Sequence, residues 1–288
     1  MKILVTGGRG FIGSKIVNYY AQNHSVYSLD KKPLLSKQKN VIEIKLDLRK
    51  EAAVKDFFSN HNFDVINHHA AEVSNTNQKN IIHDNFFATQ NLLKNTNCKV
   101  TKKFIFSSSA AVYGNTTNLP ISEKHSAFPN NLYGASKIYS EQQIMKLNLT
   151  RVIFRYGNVF GKKQISLQNN SLLPTVIKCL QNNSEFTLFN NGKSTRDFVS
   201  VEDVARANLI ALNLNKSNIY NVSSGTELSV KEIIDFVEKK SGKKLKIKDS
   251  HKEEITRSYL NTSKIKKDLK WETSKSVFDF INEVVNEN

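Results

Sequence analysis

The chain has 288 residues and a formal charge of +16, enough length for one large or two modest hydrophobic cores without disulfide staples. Its two cysteines, Cys98 and Cys179, match no metal or redox spacing, and its lysines are spread along the chain with few aromatics between them, which speaks against a nucleic-acid partner. No stretch approaches the roughly 20 apolar residues that span a bilayer, and the N-terminus lacks the charged and apolar regions of a secretory leader; a soluble, cytoplasmic protein with no membrane partner is expected.

Lys2 to Thr6 (KILVT) is rich in β-branched residues, Gly7 to Gly13 (GGRGFIG) is glycine-rich, and Ile12 to Ala21 has helical apolar spacing, so strand, tight turn and helix should follow one another. Gly7, Gly10 and Gly13 recur at three-residue intervals, which lets backbone amides approach a pyrophosphate at a helix N-terminus. The second strand, Ser25 to Leu29, ends in Asp30, at roughly the 20-residue separation of an acid that holds the adenosine ribose hydroxyls. Asp30 favours NAD, because a carboxylate repels a 2′-phosphate. Arg9 and Lys31-Lys32 could each meet such a phosphate, which keeps NADP open.

A third strand, Val41 to Leu46, leads to Asp47-Leu48, and Arg49 to Asn60 has a helical pattern. Phe63 to Ala71 (FDVINHHAA) reads as a buried strand running out into small residues that suit close approach to a cofactor. His68 and His69 point to opposite faces of such a strand and no third ligand is evident, so no metal is expected. A helical pattern from about Ile81 to Lys94 contains Asn85 and precedes the strand Lys103 to Ser107. That strand ends in Ser107-Ser108-Ser109, where open α/β sheets bind their ligands. Tyr133 to Lys137 (YGASK) opens the next helix, and its spacing puts phenol and ammonium on one face. The ammonium should favour the phenolate and lower the tyrosine pKa toward neutrality, giving a pair able to move a proton on a substrate hydroxyl.

In this order KILVTGGRGFIG, Asp30, Asp47-Leu48, His68-His69-Ala70-Ala71, Asn85, FIFSSSAAVYG, YGASK, RYGNVFG and STRDFVSVEDVARA closely resemble the extended short-chain dehydrogenase/reductases. Within them the chain is most similar to the NAD-dependent epimerase/dehydratase family of nucleotide-sugar enzymes, especially the UDP-glucose 4-epimerases. YNVSSG (Tyr220 to Gly225) and LNTSKIKKDLKW (Leu260 to Trp271) carry the resemblance to the C-terminus. It implies an α/β fold: a Rossmann-type doubly wound parallel sheet with a smaller, discontinuous C-terminal substrate-binding region. Residues 1–160 with about 195–224 would bind NAD, and 161–194 with 225–288 a nucleotide-diphosphate sugar.

Residue by residue, the resemblance implies that Gly7, Gly10, Phe11, Ile12 and Gly13 form the dinucleotide loop and that Asp30 is the ribose acid. Asp47 and Leu48 would contact adenine, and Ala70, Ala71, Asn85, Ser107, Tyr133, Lys137 and Tyr156 would line the nicotinamide half. Ser109, Tyr133 and Lys137 match the catalytic trio. Asn158 and Arg196 match diphosphate-holding positions, the alternative for Arg196-Asp197 being a surface ion pair, and Leu173 begins a helix beside the nucleotide base. Where the family usually has an Arg-Pro-Gly-Asp run this chain has His251 to Arg257, leaving Arg257 or Lys252 as the replacement contact. Lys162, in place of the usual proline, and the short loop Lys163 to Ser171 imply an unusual rim to the sugar pocket.

The subclass follows from what is missing. The family's dehydratases carry an Asp-Glu pair after the strand-end Ser or Thr, and its decarboxylases a glutamate just before Val-Tyr-Gly; here those places hold Ala110 and Ala111. The implied activity is a nucleotide-sugar 4-epimerase working by transient oxidation at C4 with bound NAD and Tyr133 as base. The alternatives are an NADP(H)-dependent 4-keto-sugar reductase or synthase and, from another class, an NAD(P)-sensing regulator that does no chemistry. Family members are commonly homodimers, built through the helices that include Tyr133 to Met145 and Asn85 to Lys94.

Overall fold

A computed structural model of the chain describes residues 1–32, 38–73, 78–166, 171–251 and 256–286. The chain divides into two compact units: residues 1–114, 126–155 and 204–220 form the first, and 115–125, 156–203 and 221–288 the second.

The first unit carries β1 (Lys2–Thr6), α1 (Phe11–Tyr20), β2 (Ser25–Asp30), β3 (Val41–Lys45), α2 (Glu51–Asn60), β4 (Val65–His68), α3 (Gln78–Ile81), α4 (Ala88–Lys94), β5 (Lys103–Ser109), α5 (Leu132–Ile144) and most of β6 (Thr150–Tyr156). The sheet has the order β11-β6-β5-β4-β1-β2-β3, where β11 is Asn218–Val222. Strands β1 to β5 pair in parallel. β4 and β5 are buried almost end to end, the near-continuous burial of parallel strands covered on both faces. Leu4, Ile66, Phe104 and Phe106 pack there with Val54, Phe57, Leu92 and Ile153 in one apolar cluster.

Strand order reverses between β1 and β4, which opens a crevice at their carboxyl ends where such sheets bind ligands. The helix expected over 81–94 is interrupted: Ile82–Phe87, between α3 and α4, is a π-helical segment. Its wider turn buries Asp84 and Asn85, and apolar spacing alone does not reveal such an insertion, which often marks a functional site.

The second unit contains β7 (Asn158–Phe160), α6 (Lys162–Ser166), α7 (Leu172–Gln181), β8 (Glu185–Phe189), β9 (Thr195–Arg196), β10 (Phe198–Ser200), β12 (Leu228–Ser229), α9 (Val230–Ser241), β13 (Lys246–Ser250), α10 (Ser263–Leu269) and α11 (Val277–Asn286), while α8 (Val201–Ala211) runs from it into the first. Its sheets are two-stranded pairs, β7 with β10, β9 with β12 and β8 with β13. Of the residues expected with the NAD-binding domain, 115–125, 156–160, 195–203 and 221–224 group in this unit. The reason is visible in the packing: β7 pairs with β10, and Phe160 and Phe198 join Leu173, Phe186, Ile233 and Phe280 in the second core. A capping box between Ser229 and Glu232 fixes the start of α9. Among the described residues no helix is long and apolar enough to cross a membrane.

Candidate active site

The chain leaves β1 through Gly7, which has a φ of +65°. A Cβ there would lie 2.7 Å from the Ala70 amide nitrogen, so glycine alone lets this strand end pass against the small residues after β4. A Cβ on Gly13 would fall 2.1 Å from the Gly7 carbonyl oxygen, so the loop lies flat on the first turn of α1. The N-cap of α1 is Gly10, with no side-chain cap, which leaves first-turn amides to meet an anion. Phe11 and Ile12 are half-buried in that turn.

Next to this loop is a cavity of about 260 Å³ lined by Gly7, Gly10, Asp30, Asp47, Leu48, Ala70 and Ala71, with Arg9, Lys31, Arg49 and Asp84 on its polar side. Asp30 accepts the Arg9 amide at 3.1 Å and the Lys32 amide at 3.0 Å. Lys31 is held by Asp84 at 2.8 Å. Arg49 forks onto Asp47, Nη2 to Oδ2 at 2.6 Å, and reaches Asp84 at 3.3 Å. Its hydrogen bonds hold the Asp47 carboxyl below the usual carboxylate range. The glycine cradle, the uncapped helix end and a carboxylate at the end of β2 fit NAD, and Lys31, one of the groups that kept a 2′-phosphate in play, already has a carboxylate partner. Asp30→Ala is expected to weaken NAD binding by about tenfold or more, the loss of one charge-assisted hydrogen bond, without weakening NADP; isothermal titration with both dinucleotides checks this.

At the carboxyl end of β5 the serines meet α5 residue by residue. The Ser107 carbonyl accepts Lys137 Nζ at 2.8 Å. The Ser109 hydroxyl accepts the Ala111 amide at 3.1 Å and hydrogen-bonds the Tyr133 phenol. Lys137 Nζ lies 5.6 Å from the Tyr133 ring centroid and 5.0 Å from that of Phe106. Asn131 caps α5 by accepting the Gly134 amide at 2.8 Å, which fixes the first turn that carries Tyr133. The sequence therefore brings Ser109, Tyr133 and Lys137 together, but not with the expected electrostatics. Burial pushes the phenol up to about 12, against the Ser109 hydrogen bond, and pushes the Lys137 amine down to about 7. Desolvation outweighs the attraction between the two groups because Lys137 faces the ring and the Ser107 carbonyl. A phenolate near neutrality then needs further positive charge beside the ring.

Asn85, expected along the nicotinamide half, is committed to the protein. Its side chain accepts the Glu72 amide at 2.8 Å and donates to the Glu72 carbonyl and the Ser136 hydroxyl, both at 3.0 Å. His68 is a brace between Thr6 and Thr89, at 2.6 and 2.9 Å. Burial lowers both His68 and His69, so both are neutral.

In the second unit Asn158 donates to the Asp197 carbonyl at 3.1 Å, and Arg196 donates Nη1 to the Thr195 carbonyl at 2.7 Å. The Arg196-Asp197 surface ion pair is not formed. Asp197 is buried and accepts the Ser224, Gly225 and Leu260 amides, so its carboxylate organises two loops. Among the described residues Arg196 has no carboxylate partner. Arg257, by contrast, is forked onto Glu227, with both bonds at 2.7 Å. Leu173, expected beside the nucleotide base, is in the first turn of α7 with its side chain in the second core. Tyr156 is buried at the end of β6. Lys252, and residues 167–170 of the rim loop, lie outside the described residues.

Ser108 belongs to the strand-end serines the sequence points to, but Asp84, Arg49, Glu141 and Arg155 were given no role there. Of these, Arg155 lies within RYGNVFG, and Glu141 continues the Tyr133, Lys137 spacing by one more turn of α5.

A profile of the NAD dependent epimerase/dehydratase family matches residues 3–223. A Methanocaldococcus jannaschii protein provisionally assigned as a UDP-glucose 4-epimerase is 36% identical, covering 99% of this chain and 97% of its own length. The crystal structure of a Thermotoga maritima UDP-glucose 4-epimerase with UDP-glucose superposes with a TM-score of 0.89 at 27% identity, covering 99% of this chain and 98% of that one. A Thermus thermophilus UDP-glucose 4-epimerase in complex with NAD gives 0.87 at 27% identity with the same coverage.

Proposed function

Because the chain belongs to the NAD dependent epimerase/dehydratase family, we propose that it is a nucleotide-sugar 4-epimerase acting on UDP-glucose and UDP-galactose with NAD held through the reaction. The observation that carries this reading is the Ser109, Tyr133 and Lys137 set at the end of β5 and start of α5, followed by Ala110 and Ala111 and not by carboxylates. Such a set can oxidise and reduce a carbinol, and it lacks the extra acid and base that elimination of water needs.

Bound NAD would supply reversible two-electron oxidation at C4 of the sugar; the chain supplies everything else. Tyr133 takes the O4 proton as the alcohol becomes a ketone, and gives it back when the ketone is reduced on its other face. Ser109 holds that oxygen. Lys137 would hold the nicotinamide ribose and oppose the rise in the Tyr133 pKa, and bound oxidised NAD would contribute the further positive charge the phenolate needs. The ketone must turn over while its nucleotide stays fixed, a task suited to Asn158 and Arg196, whose guanidinium is free of carboxylates among the described residues. Arg257 can join only by leaving Glu227 or by carrying that carboxylate with it.

The same reading makes the protein a cytoplasmic homodimer serving polysaccharide assembly. Support for the dimer comes from Phe87 and Met145, apolar side chains exposed on the segments expected to pair. Denaturing the purified protein is expected to release NAD in near one-to-one amount. Release of NADP, or none with uptake of NADPH, would point instead to a 4-keto-sugar reductase.

A further inference from the structure

Beneath Tyr133 and Lys137 is a second polar cluster that the reaction as described does not use. Glu141 is one turn beyond Lys137 on α5 and is buried. Arg155, from the end of β6, grips it with Nε on Oε1 at 3.0 Å and Nη2 on Oε2 at 2.6 Å. The Ser108 hydroxyl donates to the same Oε1. Arg155 also stacks over the Tyr113 ring, 4.9 Å from its centroid. Each residue of the strand end is thereby tied to a different residue of α5: Ser107 to Lys137, Ser108 to Glu141 and Ser109 to Tyr133.

Burying a paired carboxylate and guanidinium is costly and seldom gains net stability over apolar packing of the same volume. A role in stability therefore explains this cluster poorly. Its position explains it better. We propose that Glu141 is a positioning residue for the Tyr133 and Lys137 pair: it clamps the Ser107 to Ser109 strand end to α5 and supplies the fixed negative charge that keeps Lys137 an ammonium. The proposal rests on the assignment of Tyr133 as the base.

The titratable groups around Lys137 agree with that role. Tyr133 and Glu141 share its helix, His68 and His69 come from the end of β4, and Arg155 stands behind Glu141 on β6. Both histidines are neutral and bring no charge. Burial drives the Lys137 amine down to about 7, and Glu141, itself partly offset by Arg155, is the charge that opposes this. The pair holds one proton in its working form, and that proton must be on nitrogen with the phenol ionised. Lys137 already gives up its proton more readily than Tyr133 does; without Glu141 it does so at still lower pH, and the unproductive tautomer grows further.

Lys137 is a cationic acid; removing a neighbouring anion lowers its pKa, so its proton leaves at lower pH. In Glu141→Gln the acid limb of the kcat against pH profile is expected to move down by about one pH unit. The plateau is expected to fall about tenfold, since one unit is a tenfold change in tautomer population, while rates well below the limb stay equal to wild type. Glu141→Asp, which keeps the charge, should restore the limb. Should Glu141→Gln not fold because Arg155 is left unpaired, Glu141→Gln with Arg155→Gln removes both charges and is expected to move the limb down by less than the single variant, because Arg155 offsets part of the Glu141 field.

A lower plateau with an unmoved limb would overturn the proposal and leave Glu141 a packing residue; so would a limb that moves up. Tyr133→Phe, assayed beside these variants, separates the two ideas. If it is inactive and the Glu141 profiles match wild type, only the positioning role fails; if it is fully active, the assignment of the base fails.

Discussion

Tyr133→Phe is expected to cut turnover by about 10³-fold, within the range that a positioned acid or base contributes, while NAD remains bound. The substitution removes a single oxygen. The ring stays against Lys137 and the Ser109 hydroxyl keeps its bond from the Ala111 amide, so stability should change by only about 1 kcal/mol, the net worth of one hydrogen bond. With the phenol pushed up to about 12 by burial, the wild-type rate should also decline as pH falls, because each unit below the working pKa removes most of the remaining phenolate. Steady-state assays of both proteins across pH, with the released nucleotide measured in each, check the prediction; near-normal kcat in the variant contradicts it.

Gly7→Val is expected to abolish NAD retention and to lower stability by roughly 3 kcal/mol, from a left-handed backbone forced on a β-branched residue together with overpacking. The Cβ has nowhere to go. It would meet the amide nitrogen and Cα of Ala70 and the carbonyl carbon of His69 at 2.7 to 2.9 Å, all backbone atoms. Relief means parting β1 from β4 at the point where the crevice forms. Gly242→Ala is the matched control: its φ is +66°, yet a Cβ there has nothing within 4 Å. It should cost about 1 kcal/mol or less and leave the bound nucleotide unchanged. Thermal unfolding and nucleotide content of the two variants separate backbone strain from close approach.

The parts of the fold that repeat were the parts legible in the sequence. The short β-branched run at Lys2–Thr6, the glycines after it, the helical spacing after Gly13 and the strand that ends in Asp30 each carry a local signal, and the sheet follows from their succession. Tyr133 and Lys137 were legible because one helix fixes their relation. What local pattern could not carry was burial. The spacing put an ammonium near a phenol, but the resulting pKa depends on how much water both lose and on where the amine points. The Lys31 to Asp84 and Arg155 to Glu141 pairs join residues far apart in the chain, and nothing in a single sequence links them. The π-helical turn at Ile82–Phe87 escaped for the opposite reason: it is a local insertion that leaves the overall periodicity almost intact.

A 4-epimerase inverts a sugar carbinol with a cofactor that is not consumed. This is checked by incubating the purified protein with UDP-glucose, supplying only a trace of NAD, and resolving the products by chromatography. UDP-galactose is expected to accumulate to a fixed ratio with no net change in absorbance from reduced nicotinamide, and the same ratio is expected from UDP-galactose. No interconversion from either side, together with steady NADPH consumption when a nucleotide 4-keto sugar is offered, would contradict the 4-epimerase reading.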